Sequence, residues 1–146
     1  MYEQVSPDNW ENIIRAHYLM DKDFIEKFHS CADKGFEACV ESCMHNLVKS
    51  GTPDTIRMYQ TEVGFITLIE QDMGTTLYQF FIRPEERNRE NRKAQLDLAK
   101  ELTNRQLYAF IYEKNEPVLR FYKKHGKFIS KYTNNDEVCS AYLLKE

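Results

Sequence analysis

The chain has 146 residues, of which 42% are hydrophobic and 29% are charged, and its net charge at neutral pH is −3. This length and composition predict one globular domain with a sizeable core. No apolar run approaches the roughly 20 residues of a membrane span, and the first six residues lack a signal-peptide pattern. We therefore expect a cytoplasmic protein with no membrane partner.

The charge is distributed unevenly between the two halves of the chain. Residues 1–82 carry 6 basic and 13 acidic side chains, whereas residues 83–146 carry 14 basic and 10 acidic ones. A basic C-terminal half suits a polyanionic ligand, although a solvated face of Lys and Arg gives the same pattern.

The first third of the chain predicts two helical stretches. Ser6 is a typical helix cap, and Pro7 suits the first helical position. Two apolar stripes follow at helical spacing. The first stripe is Trp10, Ile13, Ile14 and His17, and the second is Phe36, Cys39, Val40, Cys43, Met44, Leu47 and Val48. Gly51 and Pro53 end the second helix.

The hydrophobic period changes after Pro53. Residues from 56 onward begin a strand, residues 63–69 form a second strand rich in β-branched side chains, and residues 77–82 form a third. The short connections between these strands predict an antiparallel meander.

The last third of the chain alternates helices with strands. Residues 86–104 predict a helix, in which Ala94, Leu98 and Leu102 lie four apart, and residues 106–112 predict a strand. A helix over residues 116–125 and a hairpin of residues 127–132 and 138–144 follow. This order predicts a mixed α/β sheet with one parallel crossover.

The segment from Asn115 to Phe128 carries the most specific signal. It reads Asn-Glu-Pro-Val-Leu-Arg-Phe-Tyr-Lys-Lys-His-Gly-Lys-Phe. This resembles the pattern N-x-x-A-x-x-F-Y-x-x-x-G-F of the GNAT (GCN5-related) N-acetyltransferases. The order of elements from Thr55 to Leu144 is also similar to the GNAT fold.

The resemblance implies a GNAT-like α/β (α+β) fold, with a mixed, mostly antiparallel central sheet flanked by helices. Two helices precede the meander, and Met1 to Val5 would supply the first strand. One domain would cover residues 1–146. Its parts would be the N-terminal helices (1–53), the strands with the loop and helix (55–104), and the strand, helix and hairpin (106–146).

The resemblance also implies roles for individual residues. Asn115 would contact the arm of acetyl-CoA, and Tyr122 would protonate the departing thiolate. Backbone N–H groups around Phe81, Ile82 and Arg83 would contact the pantetheine and the reacting oxygen. The alternative is that Tyr122 only packs in a short amphipathic helix.

The loop that should hold the pyrophosphate departs from the family. The family run V-x-P-x-x-R-x-x-G-x-G is similar to the chain at Ile82, Pro84 and Arg87, but Glu90 and Arg92 replace the two glycines. Glycines let the backbone approach phosphates, whereas Glu90 adds bulk and negative charge. Basic side chains could bind the phosphates instead, and the candidates are Arg87, Arg89, Arg92 and Lys93.

The general base is not assigned by the sequence. Residues 75–82 contain no carboxylate, and the nearby acidic side chains are Glu70, Asp72 and Glu113. Each of the three is also an ordinary residue for the end of a strand.

A group of possible metal ligands lies in the first third of the chain, namely His29, Cys31, Cys39, Cys43 and His45. Four such ligands on a compact scaffold can bind zinc. However, Cys39 and Cys43 lie on the apolar stripe, and His45 points away from it. We therefore expect no metal, and reduced thiols packed in the core.

Two functions remain open. The first is an acetyl-CoA-dependent N-acetyltransferase that acts on an unknown amine. The second is a catalytically inactive GNAT-like module that does not bind CoA and serves a protein partner or an assembly, as in phage-encoded or virion-associated proteins. Binding of nucleic acid through the basic half is disfavoured by the acidic overall charge.

Overall fold

A seven-stranded sheet with helices on both faces organises the chain. The computed structural model describes residues 1–28, 34–134 and 136–146. The strands are β1 Tyr2–Val5, β2 Ile56–Thr61, β3 Gly64–Gln71, β4 Gly74–Ile82, β5 Leu107–Tyr112, β6 Lys127–Asn134 and β7 Glu137–Lys145. The helices are α1 Trp10–Met20, α2 Lys22–Phe28, α3 Phe36–Lys49, α4 Arg89–Glu101 and α5 Glu116–His125.

The strands lie in the order β1-β2-β3-β4-β5-β7-β6. All neighbouring pairs are antiparallel except β4 and β5, which are parallel. This confirms the predicted mixed sheet with one parallel crossover. The first strand, which the resemblance placed at Met1 to Val5, is β1.

Two hydrophobic cores lie on opposite faces of the sheet, because neighbouring strand residues point to opposite sides. Phe65 packs with α1, α2 and α3, whereas the next residue, Ile66, packs with α4 and α5. Both side chains are fully buried, and each contributes about 1.5–3 kcal/mol to folding. No helix in the described part of the chain is long and apolar enough to cross a membrane.

Strands β3 and β4 approach each other closely at Gly64. A Cβ atom at this position would collide with the backbone carbonyl of Phe81. A side chain is therefore excluded here for steric reasons, and Gly64 allows the pairing of Gly64 with Ile82.

The start and the buried face of α4 differ from the prediction. A 3-10 turn, Pro84–Glu86, precedes the helix, which begins at Arg89 because Asn88 caps it through the amide of Asn91. Ala94 is exposed, and Gln95, Leu96 and Ala99 are the buried residues. The buried face of α4 is displaced from Ala94 to Gln95, because the Gln95 side-chain amide accepts a hydrogen bond from Thr61 and donates one to the Phe81 carbonyl.

The cysteines differ from the prediction in part. Cys43 and Cys139 are buried free thiols, but Cys39 is disulfide-bonded. An apolar stripe suits a buried thiol and a buried disulfide equally, so the pattern could not distinguish them. Cys31 and His29 lie outside the described residues, among which no group of His, Cys, Asp and Glu could hold a metal.

His17 is a buried histidine within the first core. Its Nδ1 donates to the Ile13 carbonyl over 2.8 Å, and its ring contacts those of Phe65 and Phe81. Burial lowers the pKa of His17 below its ordinary value of 6.5 and outweighs the hydrogen bond to Ile13, while Arg83 lowers it further.

We predict that His17 makes folding stability depend on pH. As pH falls below 6.5, the unfolded chain takes up a proton that the folded chain resists, so the free energy of unfolding decreases until the pH reaches the lower folded pKa. Urea denaturation of the His17→Gln variant at pH 6.5 and about pH 5 should show a smaller decrease than the wild type.

The matched control is His45→Gln, because His45 is exposed on α3. This variant should keep the wild-type dependence on pH. An unchanged dependence in His17→Gln would contradict the assignment.

Candidate active site

Strands β4 and β5 separate soon after they begin. Their parallel pairing is limited to Thr75 with Leu107 and Thr76 with Tyr108. Beyond these residues β5 continues beside β7, and β4 continues beside β3. A gap therefore opens in the middle of the sheet at Leu77.

A β-bulge lies at the point where the gap opens. Thr67 pairs with Gln79, and the next residue, Leu68, pairs with Leu77, so Tyr78 is an extra residue on β4. A bulge removes its extra residue from the ladder and turns the strand. Tyr78 is thus directed out of the regular pairing, and burial raises the pKa of its hydroxyl to about 12.

Beyond the bulge, one edge of β4 faces the gap. The Arg83 amide donates to the Val63 carbonyl, so the Arg83 amide points toward β3. Because the direction of backbone groups alternates along a strand, the amide of Ile82 points toward the gap. The Ile82 carbonyl on the same edge accepts a hydrogen bond from Arg87 Nε.

Two cavities meet at the gap, and the first extends through it, because its wall includes Tyr18 and Phe65 of the core on the α1–α3 face as well as residues of α5. The first, which we call the α5-side cavity, has a volume of about 650 Å³. Its wall includes Leu77, Phe80, Ile82, Arg89, Arg92, Asn115, Val118, Phe121 and Tyr122. The second, the α3-side cavity, has a volume of about 770 Å³. The cavities meet at the bulge, because the two walls share Tyr18, Leu77, Tyr78, Gln79, Phe110, Ile111 and Asn115.

Asn115 brings an unpaired oxygen to this junction. It precedes α5 but makes no side-chain capping bond, and its Oδ1 is buried without a hydrogen-bond partner among the described residues. A buried oxygen without a partner costs about 1–3 kcal/mol, so a ligand N–H group would relieve this cost.

Tyr122 is positioned on α5 by aromatic contacts. Its ring contacts those of Phe80, Phe121 and Tyr142. Its hydroxyl makes no hydrogen bond with any described residue, and burial raises the pKa of this group well above its ordinary value. The hydroxyl therefore keeps its proton at neutral pH.

The start of α4 carries positive charge into the mouth of the α5-side cavity. Arg89 and Arg92 line the cavity and are exposed. The backbone amides of Arg89 and Glu90 donate no hydrogen bond within the described residues. The Glu90 side chain is exposed and is not part of the cavity wall. Two free amides and two guanidinium groups thus place hydrogen-bond donors and positive charge at the mouth of this cavity.

Arg87 connects two parts of the fold through its side chain. Its guanidinium group pairs with Asp21 at 2.6 Å and lies against the rings of Phe24 and Phe81. Together with the bond to Ile82, these contacts join the α1–α2 connection to the end of β4.

The structure separates the predicted binding residues into two groups. Arg83 and Lys93 do not line the α5-side cavity. The Arg83 side chain bonds to the Glu62 carbonyl and pairs with Glu85, and Lys93 pairs with Asp97 on the helix surface. The other predicted residues meet in the wall of one cavity, and they are Phe81, Ile82, Arg87, Arg89, Arg92, Asn115 and Tyr122.

Two of the acidic residues near the sheet, Glu70 and Glu113, already have hydrogen-bond partners within the protein. Burial alone raises the pKa of Glu70, but hydrogen bonds from Thr75, Arg57 and Arg105 outweigh this effect and lower it. A hydrogen bond from Ser140, together with Lys131, lowers the pKa of Glu113. Glu70, Asp72 and Glu113 are absent from the walls of the two cavities described above.

Sequence reasoning missed Tyr78 and Phe110, which lie where the two cavities meet. Nothing in residues 74–82 marks the bulge, because no glycine or proline interrupts the strand after Gly74. Phe110 lies in a strand of alternating pattern, and its exposure of 36% gives it access to both cavities.

We predict that Arg87 supports the fold and that Arg92 does not. Arg87→Met leaves Asp21 without its partner, which should lower the free energy of unfolding by about 2 kcal/mol, between the values for exposed and buried pairs. The exposed Arg92→Met is the matched control and should change it by less than about 0.5 kcal/mol. Urea denaturation measures both, and equal effects would contradict the distinction.

No protein-family model matches the sequence, and no curated protein matches it. Solved structures do match along the whole length of the chain. An acetyltransferase from Thermus thermophilus is 15% identical, with a TM-score of 0.70 over 100% of this chain and 97% of that chain. A GNAT family acetyltransferase from Streptococcus agalactiae is 12% identical, with a TM-score of 0.72 over 100% of this chain and 95% of that one.

A third match is the PaiA N-acetyltransferase from Thermoplasma acidophilum, whose structure contains coenzyme A. It is 15% identical, with a TM-score of 0.63 over 97% of this chain and 98% of that one. Identities this low establish a shared architecture and nothing about activity. The chain therefore has the fold of the GNAT acetyltransferases.

Proposed function

We propose that the chain binds acetyl-CoA and transfers the acetyl group to a primary amine. The observation that carries this proposal is the buried, unpaired Oδ1 of Asn115 at the junction of the two cavities. An acceptor oxygen without a partner fits a ligand with amide N–H groups, which the pantetheine arm of CoA has. The α5-side cavity, at about 650 Å³, lies within the range of ligand pockets.

The residues present fit the rest of such a ligand. The Ile82 amide on the free edge of β4 donates a hydrogen bond, and Asn115 accepts one. Arg89 and Arg92, with the free amides at the start of α4, hold phosphate groups. In this chain, arginine side chains thus bind phosphate groups that the family pattern binds mainly through the backbone at its glycines.

Acetyl-CoA, when bound, supplies an acetyl group activated as a thioester. In the balanced reaction a C–N bond to the acceptor amine forms, the C–S bond breaks, the amine loses one proton and the sulfur gains one. Tyr122 holds the proton that the sulfur takes, water takes the proton that the amine loses, and water returns one proton to Tyr122. The rings of Phe80 and Tyr142 contact the ring of Tyr122 and hold it in place.

The test of binding is a calorimetric titration with acetyl-CoA at low salt. The wild type should bind with a micromolar Kd, which corresponds to about −8 kcal/mol. Asn115→Leu should weaken binding about tenfold or more, because a ligand N–H is left unpaired. The same variant should be at least as stable as the wild type, because it removes the unpaired oxygen.

The matched control is Asn104→Leu, because Asn104 is exposed and lies outside both cavity walls. This variant should bind acetyl-CoA like the wild type. If millimolar acetyl-CoA does not bind to the wild type, the proposal fails, and the inactive module becomes the better interpretation.

A second prediction concerns Tyr122 as the proton donor. Tyr122→Phe keeps the ring and its contacts but removes the proton, so kcat should fall about 100-fold. KM for acetyl-CoA should change less than about twofold, because the ring still forms the cavity wall. Because the pKa of Tyr122 is raised, the wild-type kcat should not decline up to about pH 10.

Both kcat and KM are measured from the rate at which the CoA thiol is released. Tyr108→Phe is the matched control, because Tyr108 lines neither cavity, and it should keep the wild-type kcat. A Tyr122→Phe variant with wild-type kcat would show that the hydroxyl is not the donor.

A further inference from the structure

The α3-side cavity has an aromatic wall on the sheet. Phe110 on β5 and Tyr132 on β6 form an edge-to-face pair across β7, with ring centroids 6.2 Å apart. Both remain accessible, at 36% and 38% exposure. Tyr112 lines the same wall. Exposed rings of this kind bind planar apolar groups by stacking and edge-to-face contacts.

The opposite wall is polar and belongs to α3. Ser42, Asn46 and Lys49 face the cavity from this helix. Lys49 is the one charged side chain among the described residues of this wall. Its positive charge disfavours a ligand that brings a second ammonium group next to it.

The aromatic wall is continuous with the candidate site. Phe110 lines both cavities, as do Leu77 and Tyr78, where the gap in the sheet opens. A ligand whose ring lies on Phe110 and Tyr132 therefore directs its other end toward the α5-side cavity. Under the proposed function, this other end is the amine.

We propose that the acceptor is a small primary amine that carries an aromatic ring and no second positive charge. This inference rests on the proposed function, and it deepens that function by assigning the substrate class to the α3-side cavity. Phe110 and Tyr132 are its specificity residues, and Lys49 disfavours diamines and polyamines.

The test uses three acceptors with the same α-amine, namely phenylalaninamide, alaninamide and lysinamide. Each is incubated with acetyl-CoA, and the released CoA thiol is measured. Phenylalaninamide should exceed alaninamide in kcat/KM by about tenfold, because its ring buries apolar area on the wall. Lysinamide, with its second ammonium group, should not exceed alaninamide.

The variant Tyr132→Leu isolates the contribution of the wall. KM for phenylalaninamide should rise about fivefold, with kcat nearly unchanged, because the lost contact only binds the substrate. KM for alaninamide should not change. Phe128→Leu is the matched control, because Phe128 is also an exposed aromatic residue of β6 but lines neither cavity.

Several outcomes would overturn the inference. They are equal kcat/KM for the three acceptors, equal effects of Tyr132→Leu on phenylalaninamide and alaninamide, and no acetylation of any acceptor by a protein that binds acetyl-CoA. Failure to bind acetyl-CoA is a different result, because calorimetry detects it without an acceptor and it refutes the proposed function itself.

Discussion

The candidate site depends on the separation of β4 from β5. If their parallel pairing extended past Thr76 and Tyr108, the sheet would be continuous, and neither cavity would exist. The separation exposes one edge of β4, whose polar groups then need other partners. Arg87 supplies a partner for the Ile82 carbonyl. On the α5 side of the sheet, Phe121 packs against Phe80 of β4, with ring centroids 5.4 Å apart.

The loss of the two glycines changes how an anion would be held, but hydrogen-bond donors and positive charge remain at the start of α4. Asn88 caps α4 and satisfies the Asn91 amide, but the amides of Arg89 and Glu90 have no partner within the described part of the chain. Flexible guanidinium groups cost more side-chain entropy than a rigid backbone nest, and exposed charges are screened by salt. A site built on Arg92 should thus be weaker than a glycine loop and more sensitive to ionic strength.

The sequence predicted the architecture well, because hydrophobic period and turn residues report local structure directly. It also brought Asn115 and Tyr122 to one cavity through a single short motif. It failed where long-range contacts decide the outcome. Nothing local shows that Gln95 bonds to β2 and β4, which displaces the buried face of α4 away from Ala94. The bulge at Tyr78 is likewise set by pairing with β3, and its own segment carries no mark of it.

The energetics of the site bear on whether the chain is an enzyme or an inactive module. Asn115 keeps a buried oxygen without a partner among the described residues, which costs about 1–3 kcal/mol. Stability of a domain is about 5–15 kcal/mol in total, so this cost is a substantial fraction of it. In an inactive module, an apolar side chain at this position would make the fold more stable, and no ligand contact would be lost. Under the proposed function, a ligand would complete the hydrogen bonds of both the Asn115 oxygen and the Tyr122 hydroxyl, which has no partner in the described structure either, and the cost at Asn115 would be recovered on binding.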